Sequence, residues 1–171
     1  SDQERLKRMA PVQSLQGGGI VVKIGRGGAV QVERGRDRYR LESSYSYPGE
    51  TIGFNRLADG PPSGEESWAP RGERAGPTAA RITAGGRFYS IERNVELAAG
   101  RITINDTLTS RSTEDVGIII HHKVLLGQEA GEARLAGVPV SMKPDESATK
   151  YATNPTIFVP GEGSSLGIVG E

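Results

Sequence analysis

The sequence predicts an all-β protein, a sandwich of two mainly antiparallel sheets with roughly ten strands. The stretch from Phe88 to Leu126 contains three runs rich in apolar residues. Within these runs the apolar residues either alternate with polar residues or follow one another directly. This pattern is typical of strands, whose successive side chains point to opposite sheet faces. The 24 glycines and 10 prolines in 171 residues supply the frequent turns of such a fold. Only residues 1–10 suggest a turn of helix, which Pro11 would end.

We predict a lead-in segment over residues 1–18 and a single β-sandwich domain over residues 19–171. A hairpin is expected at Gly25–Gly28, because glycine tolerates positive φ. A long loop is expected over residues 55–77, which lack periodicity and contain the only Trp. Loops of this length tend to be functional or disordered. The predicted strands cover residues 19–24, 29–34, 38–47, 79–84, 88–97, 101–110, 116–126, 134–142, 155–161 and 165–171.

The apolar rows of the central stretch form the predicted core. These rows are Tyr89, Ile91, Val95 and Leu97; Ile102, Ile104 and Leu108; and Val116, Ile118, Ile120, Val124 and Leu126. Two polar residues fall within them, since His122 is in line with the third row and Asp106 with the second. A buried carboxylate needs a partner. Asp106 is therefore either paired structurally with an Arg or a backbone turn, or functional, and the structural role is favoured.

The composition excludes several classes of function. Lys plus Arg and Asp plus Glu both number 21, so the chain lacks the basic excess of nucleic-acid binders. No apolar run is long enough to span a membrane. Without cysteine there is no disulfide, zinc–thiolate site or Cys nucleophile. We predict no nucleic-acid partner, no membrane insertion and no cofactor.

The two histidines, His121 and His122, are adjacent within a predicted strand. Neighbours in a strand face opposite sides, so both rings cannot easily reach one metal ion or one substrate. His121 shares its face with Lys123, whereas His122 points towards the core. A metal site would need His121 and distant carboxylates, and we predict none. The favoured interpretation is one packed histidine and one on a polar face.

The polar faces of the three central strands are expected to form one surface. Its residues are Ser90, Glu92, Asn94, Arg101, Thr103, Asn105, Thr107, His121 and Lys123. Antiparallel sheets often leave one face solvated, which is the default interpretation. The alternative is a shallow polar surface for sugar hydroxyls. On that alternative the candidate ligand-binding residues are Trp68, Asn105, His121 and Lys123.

Trp68 lies in the predicted long loop, where an aromatic side chain either stacks on a sugar ring or anchors the loop by packing down. The anchor is the favoured role. The adjacent Glu65 and Glu66 do not indicate a glycosidase, because its two carboxylates are related across a cleft and not along the chain. The glycines at Gly25–Gly28 are not followed by the Lys-Ser/Thr of a phosphate-binding loop. We predict no catalytic residue.

The central stretch nevertheless resembles a known segment. Three consecutive predicted strands contain Ile91-Glu92-Arg93, residues 101–110 (RITINDTLTS) and Val116-Gly117-Ile118. They resemble a segment of three strands in galactose-mutarotase-like β-supersandwich domains, the second of which carries the motif D-T-L-T-N. The resemblance covers residues 79–126, and Ser110 stands where Asn is common. It implies a large twisted sandwich that accompanies glycoside hydrolases. The His and Glu motifs of true mutarotases are not found, so no catalytic residue is carried over.

Three hypotheses about function follow. The first is a non-catalytic carbohydrate-associated module of a glycoside-hydrolase-like protein, which binds glycan or supports a neighbouring catalytic domain. The second is a mutarotase-type enzyme that uses His121 with a remote carboxylate. The third is a structural or oligomerising module whose edge strands pair across subunits. The compartment stays open, with a slight preference for an exported or periplasmic protein.

Overall fold

The computed structural model describes residues 2–143, 147, 149, 151, 153 and 155–170. It confirms the all-β class, with fourteen strands and one short helix among these residues. The helix is α1 (Asp2–Lys7). The strands are β1 (Pro11–Gly17), β2 (Ile20–Gly25), β3 (Val30–Arg34), β4 (Asp37–Tyr47), β5 (Gly53–Leu57), β6 (Arg71–Gly76), β7 (Ala79–Gly85), β8 (Tyr89–Ala98), β9 (Arg101–Ser110), β10 (Ile120–Leu126), β11 (Glu132–Leu135), β12 (Val138–Ser141), β13 (Thr156–Val159) and β14 (Leu166–Val169).

The described strands form three sheets where two were expected. A six-stranded sheet has the order β1-β2-β3-β4-β10, with β5 also paired to β4. A four-stranded sheet has the order β6-β7-β8-β9, and a second four-stranded sheet has the order β12-β11-β13-β14. The estimate of roughly ten strands was low because β1, β5 and β6 were not predicted. In addition, the predicted strand 134–142 is the hairpin of β11 and β12.

The described chain divides into two compact units, whereas a single domain over residues 19–171 was predicted. The first unit comprises Ser1–Arg34 and Arg38–Gly127, and the second comprises Gly35–Asp37 and Gln128–Glu171. The six-stranded sheet and the β6–β9 sheet belong to the first unit. The β11–β14 sheet belongs to the second.

The first unit is a sandwich, because its two sheets share one hydrophobic core. Alternate residues of β2, β3 and β4 meet alternate residues of β7 and β8 between the sheets. Fully buried members from the six-stranded sheet include Val22, Ile24, Val30, Tyr45 and Leu57; those from the facing sheet include Ile82, Tyr89, Ile91 and Val95. The outer face of the β6–β9 sheet is mostly polar, whereas that of the six-stranded sheet is partly covered by α1.

The predicted lead-in is structured and belongs to the sandwich. Its second half is β1, which pairs with β2, and α1 packs down through the buried Leu6. The last carbonyls of α1 accept hydrogen bonds from buried side chains, Arg40 to Arg5 O and Gln31 to Leu6 O. Carbonyls at a helix end have no partner within the helix, so these bonds hold it on the sheet.

The three central strands do not form one sheet, contrary to expectation. The strands β8 and β9 pair over ten residues through a turn at Ala99 and Gly100, both at positive φ as a two-residue hairpin requires. The third strand, β10, starts only at Ile120 and pairs with β4 in the opposite sheet. Its inward row faces the core as predicted, but the edge position leaves Ile120 44% exposed.

The predicted loop 55–77 is shorter than expected, since β5 continues to Leu57 and β6 begins at Arg71. The true connection is 58–70. Gly27 approaches Ala58 so closely that a Cβ would overlap its carbonyl oxygen, which explains a glycine there. The loop is thus packed against the β2–β3 connection.

The second unit is built on its own four-stranded sheet. The β11–β12 hairpin turns at Ala136 and Gly137, which both have positive φ. Pro139 lies in β12 at the edge of this sheet. Proline has no backbone N–H to donate to a neighbouring strand, so within sheets it is confined to edges and bulges. Ser164 donates a 2.6 Å hydrogen bond to Asp37 within the same unit. No helix in the described part of the chain is long and apolar enough to cross a membrane.

Candidate ligand-binding groove

The outer face of the β6–β9 sheet carries aligned polar side chains. The strand register places Arg71 opposite Thr83, Thr83 opposite Glu92 and Glu92 opposite Thr107, so one row crosses all four strands. In the adjacent row Ser90 lies opposite Thr109. These positions alternate with the buried core residues of the same strands, so the sheet itself aims them outwards.

This face contains a shallow groove of about 440 Å³, which we call the outer groove. Ala69, Ala84, Gly85 and Ile91 contribute to its lining. The polar residues that line it are Arg71, Thr83, Ser90, Glu92, Thr107, Thr109 and Arg111. Two guanidinium groups, one carboxylate and four hydroxyls therefore face one open channel.

Arg111 lies at the end of the groove where β9 has ended. Its guanidinium donates a 3.2 Å hydrogen bond to Gly86 O and lies over Gly85, where a Cβ would be only 2.7 Å from Nη1. A side chain at Gly85 would displace this guanidinium. Glycine at that position therefore leaves space for the Arg111 guanidinium.

The groove carboxylate, Glu92, is already tied to its neighbours on one side. Its Oε1 lies 3.6 Å from Arg81 Nε and accepts a 3.2 Å hydrogen bond from Asn94. Arg81 also pairs with Glu73 at 3.3 Å. The side chain of Arg71 forms no hydrogen bond or ion pair within the residues that the structure describes.

The structure separates the four residues that were predicted to bind a ligand. Asn105 is exposed on the outer face of β9, opposite Asn94 and one row away from the groove. His121 and Lys123 lie on the six-stranded sheet, opposite Ser44 and Glu42. They share no surface with Asn105, because β10 belongs to the other layer of the sandwich.

His121 is exposed and stacks on Phe54, with ring centroids 6.3 Å apart and planes inclined by 19°. No carboxylate of the described residues forms an ion pair or hydrogen bond with it. The remote carboxylate that a mutarotase-type site would require is thus not in contact with His121 in this structure.

Trp68 is an anchor and not a surface aromatic. The residue is 2% exposed, its indole N–H donates a 2.9 Å hydrogen bond to Arg56 O, and its ring meets Tyr89 edge to face. An aromatic ring in this position cannot stack on a sugar. The connection 58–70 is fixed to the core by this side chain.

Glu65 fixes the same connection to the β7–β8 turn. Its carboxylate accepts hydrogen bonds from Asn55 Nδ2 at 2.8 Å and from Arg87 N at 3.0 Å. Gly86 lies so close that a Cβ would overlap this carboxylate. A wider depression of about 540 Å³ lies beside it, between Tyr47 and the segment 64–67. Because Glu65 is used to hold the chain, this depression offers fewer free groups than the outer groove.

A polar cluster lies inside the sandwich, where Asp106 meets Arg93. Arg93 Nε and Nη2 donate 2.7 Å hydrogen bonds to the two carboxylate oxygens, and Tyr45 donates to Asp106 at 2.9 Å. The side chains of Arg93 and Asp106 are 0% and 16% exposed. The favoured structural pairing of Asp106 with an Arg is confirmed.

Burial raises the pKa of Asp106, but the hydrogen bonds and charge of Arg93 outweigh it and the pKa is lowered overall. Burial raises the pKa of the Tyr45 hydroxyl, so Tyr45 remains a donor to Asp106. The cluster is a hydrogen-bonded ion pair between strands, in which the buried Nη1 of Arg93 has no hydrogen-bond partner among the described residues. It is not a reactive pair, since neither group is held in its less stable charge state.

His122 meets this cluster from β10. Although the residue is exposed as a whole, its Nδ1 lies 2.8 Å from Ser43 Oγ, which accepts a hydrogen bond from Arg93. Burial of this side of the ring lowers the pKa of His122, the Arg93 charge lowers it further, and Asp106 opposes the shift. His122 is therefore the packed histidine that alternation predicted.

The outer groove was partly visible in the sequence. Ser90, Glu92 and Thr107 were placed on the polar surface, whereas Arg71, Thr83, Thr109 and Arg111 were missed. The alternation of β7 was available as a signal for Thr83, but β6 has a single apolar residue, Ala75, which is too little to reveal which face of β6 is buried. No group of three His, Asp or Glu side chains suited to a metal ion occurs among the residues searched, which are those described.

A scan of protein-family models finds none that matches this chain, and searches of curated proteins and of solved structures find no match either.

Proposed function

We propose that this chain is a non-catalytic, glycan-binding β-sandwich module of a glycoside-hydrolase-like protein, and that the outer groove takes the glycan. The observation that carries the proposal is the row of outward hydroxyl, guanidinium and carboxylate groups across four rigid strands. Rigid strands hold such groups with little loss of entropy on binding. The resemblance of residues 79–126 to supersandwich domains supports the same class of partner.

The groups in the outer groove suit sugar hydroxyls. Thr83, Ser90, Thr107 and Thr109 each provide a donor and acceptors, and Glu92 provides further acceptors. A sugar presents hydroxyls around its ring that need both kinds of partner. Since the groove is shallow and crosses the sheet, it suits a stretch of chain better than a fully enclosed monosaccharide.

The absence of a second carboxylate favours binding over hydrolysis. Glycoside hydrolysis normally requires two carboxyl groups about 5–9 Å apart across the scissile bond. Glu92 is the one carboxylate among the described residues that line the groove, and it is held by Arg81 and Asn94. The groove thus lacks the pair that this chemistry needs.

Filling the groove tests the proposal. Thr107→Tyr places a bulky side chain in the channel at an exposed strand position that tolerates aromatics. Thr103→Tyr makes the same change on the same face of β9, outside the groove, and is the matched control. Affinity electrophoresis against a panel of plant and bacterial polysaccharides should show retardation that Thr107→Tyr abolishes and Thr103→Tyr preserves. Equal retardation of both variants would place the glycan elsewhere, and no retardation by any polysaccharide would reject the function.

A role in oligomerisation is the second candidate, and the edge strand β9 favours it. This strand is ten residues long, keeps an unbroken register with β8, and has no described partner on its other side. Regular edges of this kind are templates for strand pairing. Sedimentation equilibrium should then give twice the 18.2 kDa chain mass. A single species at that chain mass, up to about millimolar concentration, would exclude this candidate.

A further inference from the structure

We infer that the glycan bound in the outer groove is acidic, with carboxylate or sulfate groups that pair with Arg71 and Arg111. The inference rests on the proposed function and adds the chemical class of the ligand. It follows from the charges of the groove, which differ from those of the chain as a whole. The chain has a formal charge of zero.

Arg111 brings the first cation. Its hydrogen bond to Gly86 O uses one N–H of Nη1, and a guanidinium has five N–H donors in all. It forms no ion pair with a carboxylate of the described residues. Most of its donors are thus available to a ligand.

Arg71 brings the second cation. It is exposed on β6, and no described side chain neutralises it. Its position is one strand across from Gly85, over which Arg111 lies, and two residues along. Standard strand spacings put these backbone positions roughly 8 Å apart. Both guanidinium groups therefore border the same short stretch of groove.

The single groove carboxylate does not cancel these charges. Glu92 is shared with Arg81, which pairs also with Glu73 in the next row of the face. The lining therefore contains two arginines and one carboxylate that is already paired. An approaching anionic ligand meets two guanidinium groups with unfilled donors.

Arginine favours planar oxyanions, because its parallel N–H groups form two hydrogen bonds with a carboxylate at once. Sulfate esters present oxygens of the same charge and reach. Both groups occur as regular substituents of acidic polysaccharides, so one chain can contact Arg71 and Arg111 together. A neutral glycan would offer both arginines only uncharged oxygen acceptors and would bind more weakly.

Isothermal titration with four polymers tests the inference: polygalacturonate, dextran sulfate, neutral dextran and single-stranded DNA. We expect an acidic polysaccharide to bind at least 10-fold more tightly than dextran, with affinity that falls as salt rises. Arg71→Gln and Arg111→Gln should each weaken that binding about 10-fold, the size of one charge-assisted contact. Arg101→Gln is the matched control, since Arg101 is exposed on the same face of β9 outside the groove.

The outcomes are distinct. A preference for polygalacturonate identifies carboxylates, and a preference for dextran sulfate identifies sulfates; either supports the inference when only the groove arginines matter. Binding of dextran equal to that of the acidic polymers, unchanged in Arg71→Gln, overturns the inference and leaves the proposed function intact. Binding of DNA alone, or of no polymer, overturns the inference, whereas the proposed function is decided separately by the polysaccharide panel. Thermal melts check folding, and Arg71→Gln removes no described contact, so it remains informative if Arg111→Gln is unstable.

Discussion

Arg93 and Asp106 lie directly opposite each other on β8 and β9 and are joined by two hydrogen bonds of 2.7 Å inside the sandwich. Tyr45 and Ser43, from the facing sheet, also form hydrogen bonds with this pair. The ion pair thus connects the two layers at the side where both β9 and β10 are edge strands. Polar contacts therefore add to the apolar core at this side of the sandwich.

Removing one partner of this pair should be costly. Asp106→Asn leaves the buried Arg93 guanidinium without its counter-charge, so we expect a loss of about 3 kcal/mol in the free energy of unfolding. Urea denaturation measures it. The double variant Arg93→Met/Asp106→Leu should recover most of that loss, because no unpaired charge stays buried. If the loss of unfolding free energy in the double variant equalled the sum of the losses from the two single changes, the two residues would not act as a pair.

The lowered pKa of His122 predicts a pH dependence of stability. The unfolded chain binds a proton near pH 6.5, whereas the folded chain resists it, so the unfolded state takes up more protons in this range. Stability should fall as the pH drops below about 6.5. His122→Gln should flatten this dependence, while His121→Gln, at an exposed position, should retain it. Equal pH profiles for the wild type and His122→Gln would contradict the assignment.

Much of the strand pattern follows from alternation, but the pairing of strands does not. The strands β2, β3, β4, β7, β8 and β9 have mostly apolar residues at every second position, so their faces could be predicted. β6 consists of RGERAG and is recognised as a strand only through its pairing with β7. Local pattern gave no indication that β10 crosses to the other sheet.

The candidate site was harder to predict than the fold. Arg93 interrupts the apolar row of β8 as Asp106 interrupts that of β9, so their pairing could have been inferred from register. The outer groove depends on four strands lying side by side, which no single stretch reveals. Trp68 was predicted as an anchor because a loop aromatic more often packs than binds.

Trp68 provides a test of the loop anchor. Trp68→Ala removes a buried ring and should cost about 3–5 kcal/mol. Trp68→Phe keeps a ring but leaves Arg56 O without its donor, for a smaller loss of about 1–2 kcal/mol. Chemical denaturation measures both variants. If Trp68→Phe kept full stability but lost glycan retardation, the indole would be a ligand contact and the anchor role would be wrong.

Two isoleucines test where the core ends. Ile91 is 2% exposed between the sheets, so Ile91→Ala should cost about 2–5 kcal/mol. Ile120 faces the same side from an edge strand but is 44% exposed, so Ile120→Ala should cost less than about 1 kcal/mol. Urea denaturation compares them. Similar losses for the two variants would mean that β10 is covered more completely than the structure indicates.

The most direct test of the account is to locate the glycan on the protein by amide chemical shifts in ¹⁵N-labelled protein during titration with an acidic oligosaccharide. The account predicts shifts centred on Thr83, Ser90, Thr107 and Thr109, with His121 and Lys123 unaffected. Shifts centred on His121 and Phe54, with the outer groove silent, would contradict it.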